Sequence, residues 1–143
     1  MRSILGAAIE EEADVTLVDM EAGLEHLSRS GGTLAYADIL LVVMEPSRKS
    51  ILTAGRTIAL AEELGIPRVY GVGNKARLPD DAEFFTSVAA EYKVPLAGIV
   101  PEDADVVEAD RSGEPLPLDK GEPVRRAVEA IVDFVDEVVP SAA

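Results

Sequence analysis

Apolar runs of strand length alternate along this chain with segments of helical periodicity. Four runs are rich in β-branched and aliphatic residues: 14–20 (DVTLVDM), 38–45 (DILLVVME), 68–74 (RVYGVGN) and 95–100 (PLAGIV). Each is too short for a buried helix and is bounded by turn residues, so each predicts a strand. Between them lie helical segments at 4–12, 50–64, 80–92 and 103–110, and a last one at 123–138. The second stops at Gly65 with Pro67 just beyond, and the third carries acids in its first turn, which suit the positive end of a helix. In the last, Val124, Ala127, Val128, Ile131, Val132 and Val135 recur on one face.

Strands that are apolar on both faces and separated by helices predict an α/β fold. Its parallel sheet has about four strands and helices on both sides. Residues 1–143 read as a single domain, with the Gly/Pro stretch at 113–117 as a connection within it. In such sheets ligands bind beyond the carboxyl ends of the strands. That rule singles out the loops after Val18, Met44, Val72 and Val100.

Composition narrows the chemistry. The absence of cysteine excludes disulfides, thiolate metal sites and cysteine nucleophiles. A net charge of −14 argues against a nucleic-acid or anionic-membrane surface, because both demand a basic face. No run approaches the roughly 18 apolar residues needed to span a bilayer. The acidic cluster after the first apolar residues is no signal-peptide cleavage region, so a cytoplasmic protein is expected. Aromatics make up only 4%, so the core must be aliphatic.

The four loops carry modest chemistry when taken singly. Asp19 ends the first run, and a carboxylate there suits Mg²⁺ held through water; it equally suits the mere end of a strand. Gly23 lets a backbone N–H approach a phosphate, or simply permits a turn. Ser47 or Ser50 can cap the following helix, beside the basic pair Arg48 and Lys49. Asn74 offers donor and acceptor to a planar ligand edge, and Lys75 an alkyl stem to cover it, though Gly-Asn is also ordinary turn chemistry. Pro101, Glu102 and Asp103 open a helix, for which N-capping by Asp103 is sufficient reason. His26, the only histidine, has no partners at metal-ligand spacing.

Their order is more specific than any one of them. DMEAGLEHL, then EPS, then NK after a strand, then GIVPEDADVVEADRSGEPL resemble the carboxyl-terminal part of the MinD/ParA and nitrogenase-iron-protein type P-loop ATPases. The likeness is to their carbon monoxide dehydrogenase maturation branch, the nickel-insertion ATPases, and it runs from about Ala13 to the end. The resemblance implies an incomplete, doubly wound P-loop domain that binds ATP and Mg²⁺. It implies that Asp19 helps place Mg²⁺ through water, and that Glu21, Ala22 and Gly23 form a switch segment sensing the terminal phosphate. It implies that Asn74 reads adenine beside Lys75, and that Pro101, Glu102 and Asp103 border the base. It further implies a homo- or hetero-dimer with a related ATPase chain and a client of the carbon monoxide dehydrogenase type.

The chain departs from the family in two respects. A glycine-rich phosphate loop with its lysine is missing: SRSGGTL lacks a lysine, and GVGNKAR lacks the hydroxyl and the spacing. The Cys-x-Cys pair of the nickel branch is missing too, so no nickel site is expected. A triphosphate would meet Asp19, Glu21 and Glu25 without a cradle, so no residue is assigned a catalytic role and the chain is not expected to hydrolyse ATP alone. In the family the phosphate-loop strand lies between those at 14–19 and 39–44. A slot is therefore expected in the sheet: closed up, filled by another chain, or poorly packed. A truncated gene, a split gene or a misplaced start codon would each account for it. A non-enzymatic remnant acting through a partner is the alternative, and a receiver-like domain using Asp19, Ser47 and Lys75 a more distant one.

Overall fold

Strands β1 (Leu40–Met44), β2 (Val69–Ala76) and β3 (Leu96–Pro101) form one parallel sheet in that spatial order. They belong to a computed structural model that describes residues 15–20 and 37–140. Helices α1 (Arg48–Glu63) and α2 (Asp80–Glu91) cross between the strands, and α3 (Ala104–Ser112) and α4 (Glu122–Val138) follow β3. The helix ends follow local chemistry. The Ser47 hydroxyl accepts the Ser50 N–H to cap α1, and the Asp103 carboxylate accepts the Asp105 N–H to cap α3. Gly113, at φ +72, closes α3 in the left-handed conformation that glycine adopts without strain.

Helices cover both faces, and glycines in β2 and β3 set how closely they approach. On one face, a Cβ at Gly73 would fall 2.9 Å from the Phe85 ring of α2, and one at Gly71 only 2.6 Å from Val94. On the other, a Cβ at Gly98 would meet Ile131 of α4 at 2.5 Å, while Tyr70 and Phe134 meet edge to face with centroids 4.8 Å apart. The first face holds the main core of Met44, Ile51, Ala54, Ile58, Phe85, Val88 and Val94. On the second, only Ile131 of α4 is buried, and Val128 and Val132 remain exposed despite their helical spacing with it.

Sequence pattern and structure part in three places. The run at 14–20 was expected to be a strand, but residues 15–20 carry no strand and pair with none of the three described. A strand needs a neighbour to take its amides, and of this segment only Met20 packs on the core. The described sheet therefore has three strands, not four. Helix α1 begins at Arg48, two residues before the expected start, because Ser47 is the residue that caps it. Strand β2 runs on to Ala76, two residues beyond its predicted end at Asn74, and takes Lys75 out of the loop. The expected helix at 4–12 and the stretch with Glu21, Ala22, Gly23 and His26 lie outside the described residues.

Two expectations test this packing. Phe85 is completely buried against Gly73, so Phe85→Ala should lower unfolding stability by about 3–5 kcal/mol in urea titration. The Asp81 carboxylate lies below its ordinary value, chiefly because it accepts the Arg77 backbone N–H at 2.7 Å. A lowered folded value contributes stability that is complete above the unfolded carboxylate pKa and is lost as pH falls through the folded one. The stability difference between wild type and Asp81→Asn should thus be greatest near neutrality and shrink below about pH 4.

Candidate functional site at the carboxyl edge of the sheet

The parallel register brings the strand ends to one edge. Met44 lies beside Gly73 and Ala76 beside Pro101, so the residues that follow β1 and β3 flank the last turn of β2. The Glu102 N–H donates to the Ala76 carbonyl at 2.9 Å and fixes that junction. Between Gly73 and Ala76 the pairing with β3 slips, and Lys75 there takes φ +56, a left-handed conformation uncommon for a side-chain-bearing residue.

Lys75 crosses to β1. Its ammonium donates to Glu45 Oε1 at 2.9 Å, and both side chains are largely exposed. The hydrogen bond to Glu45 raises the lysine above its ordinary value; the Glu45 charge, Asp110 and Glu102 add to this, and desolvation opposes it. Glu45 is itself anchored, because its N–H donates to Ser50 Oγ at 2.9 Å. The edge therefore carries one lysine among carboxylates.

Asn74 is half-buried beside this pair, and its amide makes no side-chain hydrogen bond among the described residues. Among the described residues no fully buried side-chain polar atom lacks a partner, so that amide is not fully buried. Asp103 spends its carboxylate on capping α3, as expected, and Asp105 accepts the Gly121 N–H at 3.1 Å. Arg125 then ties the intervening connection down by donating to the carbonyls of Leu116, Pro117 and Lys120.

A groove of about 680 Å³ opens on the other side of β1. Val18, Asp19 and Met20 line it together with residues 40–43 of β1, and Thr53, Ala54 and Thr57 of α1 contribute to its wall. Asp19 is exposed there and shares the groove with Glu45, Ser47 and Lys49. The structure thus gathers Asn74, Lys75, Pro101 and Glu102 on one side of β1 and sets Asp19 on the other, with Glu45 touching both. Among the described residues, no three acidic or histidine side chains cluster as a metal site, and no helix is long and apolar enough to cross a membrane. Sequence reasoning missed Glu45. Its signal was present: an acid just past one strand end and a lysine at the end of the next meet when the strands are parallel neighbours.

No family model matches the chain. It is 33% identical over 135 residues to an uncharacterized ATP-binding protein of Methanocaldococcus jannaschii, covering 94% of this chain and 51% of that protein. It is 34% identical over 113 residues to the carbon monoxide dehydrogenase accessory protein CooC of Rhodospirillum rubrum, covering 79% of this chain and 41% of that one. The chain thus spans about half the length of the curated relatives it matches. The MinD cell division protein of Aquifex aeolicus shares the fold, with a TM-score of 0.60 at 24% identity over 78% of this chain and 49% of MinD. With its parallel α/β sheet and these relatives, the chain belongs to the MinD/ParA-like P-loop ATPase family, close to CooC.

Proposed function

We propose that this chain is the base-binding part of a nucleotide site of the MinD and CooC type, and that it does not hydrolyse ATP by itself. The observation that carries the reading is the half-buried Asn74 amide near the end of the central strand, which has no side-chain hydrogen bond among the described residues and is flanked by β3. An amide offers the donor and acceptor pair that an adenine edge requires. Lys75 lies beside it, and Pro101, Glu102 and Asp103 form the border on the β3 side. The proposed roles of Asp19 with Mg²⁺ and of Glu21, Ala22 and Gly23 as a switch follow from the family resemblance.

The base end fits these residues; the phosphate end does not fit what the described residues supply. Lys75 is committed to Glu45, and Glu102 and Asp110 add negative charge around it. Phosphoryl transfer depends on positioning and on neutralising the charge of the phosphates, which bound Mg²⁺ supplies in part. An acidic edge opposes both. Chains of this family pair with related ATPase chains, so the reading extends to a dimer in the cytoplasm with a metalloenzyme client of the carbon monoxide dehydrogenase type. The exposed Val128 and Val132 of α4 favour a second reading, in which the chain acts as an interaction subunit without turnover.

Adenosine separates base from phosphate binding. In calorimetric titration adenosine should bind at least as tightly as Mg-ATP, and Asn74→Ala should weaken adenosine about tenfold, the cost of one lost hydrogen bond to a ligand. Equal affinity for the variant would overturn the base assignment. Purified chain should release phosphate from ATP no faster than its Asp19→Asn variant; a faster wild type would refute the lack of turnover.

A further inference from the structure

We propose that Asp105 and Arg125 are positioning residues for the base border. Through the connection at 113–121 they make the placement of that border depend on how α4 is seated. The inference rests on the base-site reading above. It starts from what holds each half of the border. Pro101 and Glu102 are held by the sheet, since Pro101 pairs with Ala76 and the Glu102 N–H donates to the Ala76 carbonyl at 2.9 Å. Asp103 has left the strand and leads into α3. None of the nine described residues of α3 is buried, so apolar packing does little to fix that helix or the turn before it.

Polar contacts take over that task, and Asp105 makes two of them. Its N–H donates to the Asp103 carboxylate at 2.8 Å, and its own carboxylate accepts the Gly121 N–H at 3.1 Å, both in part-buried surroundings. The second bond joins the first turn of α3 to the start of α4, sixteen positions further along the chain. Gly121 takes φ +70, and a Cβ there would fall 2.8 Å from Leu116, so glycine alone makes this turn without strain.

Arg125, in the first turn of α4, holds the connection itself. Its Nε donates to the Lys120 carbonyl at 2.9 Å, and its Nη2 to the carbonyls of Pro117 at 2.7 Å and Leu116 at 3.4 Å. A planar fork reaches several carbonyls at fixed angles, which the single ammonium of a lysine cannot do. Gly121 is thereby delivered to Asp105 from a loop tied to α4, and α4 is seated on β3 through Ile131 against Gly98. Hydrogen bonds and one short run of chain thus link α4 to Asp103 by way of Arg125, Gly121 and Asp105. A change in the seating of α4 reaches the border of the base, while Asn74 keeps its place in the central strand.

The test pairs amide exchange, followed by nuclear magnetic resonance, with adenosine binding on the full chain. Arg125→Met keeps an apolar stem and removes the donors. Without adenosine, its Asp105 and Gly121 amides should exchange at least tenfold faster than in wild type, whereas the Glu102 amide, bonded to Ala76, should not change. In calorimetry Arg125→Met and Asp105→Ala should each weaken adenosine about fivefold or more. Asp105→Asn keeps an oxygen for the Gly121 N–H and should stay within about twofold of wild type. A merely structural role would lower stability and leave the affinity of the folded protein unchanged. Unchanged exchange in Arg125→Met would refute the lock, and Asp105→Asn binding as weakly as Asp105→Ala would refute the acceptor role. Undiminished adenosine affinity in Arg125→Met and Asp105→Ala, with Asn74→Ala weakened, would refute the positioning role and leave the base site standing. No adenosine binding by wild type would remove the base site and the role of both residues with it. Should Arg125→Met unfold, the two Asp105 variants decide.

Discussion

Everything described in this molecule hangs on β2 being bonded on both of its edges. Its ladders to β1 and β3 satisfy the backbone of the sheet's centre, and its side-chain rows meet a helix layer on each face. Close packing on a sheet demands that something small stand where a helix side chain is large. Gly71 and Gly73 are small on the side of Val94 and Phe85, and Gly98 of β3 is small where Ile131 arrives. The same strand then ends in Asn74 and Lys75, so the residues that give the edge its chemistry are held by the most constrained backbone in the chain.

That coupling sets the electrostatics of the edge. A slip in register between Gly73 and Ala76 coincides with the left-handed turn at Lys75, and its ammonium reaches Glu45 on the neighbouring strand. Both side chains are solvated, so the pair contributes little to stability. Its weight is local: it fixes where the Lys75 charge resides on an acidic edge.

Much of this was legible in the sequence, and the exceptions share a cause. Alternating apolar runs and helical periodicity predicted the parallel arrangement, the helices on both faces, the stop of α1 before Gly65 and the Asp103 cap of α3, because those features depend on local propensity. The sequence 14–20 has the composition of a strand, but strand identity requires a neighbour, and composition carries no record of whether one is present. Glu45 escaped notice for a related reason: its partnership with Lys75 spans thirty positions and appears only once the register is known. Asn74 and Lys75 were identified as chemistry of a strand end, although the strand proved two residues longer.

The edge contact between Tyr70 and Phe134 has a further consequence. The chain contains three tyrosines and no tryptophan, so its ultraviolet emission belongs to tyrosine alone. Tyr70 sits in β2 with its ring against α4, the helix that closes the second face of the sheet. Its spectrum is therefore sensitive to whether that helix is seated. The protein carries, without any label, an optical reporter of the layer that holds least of its buried core.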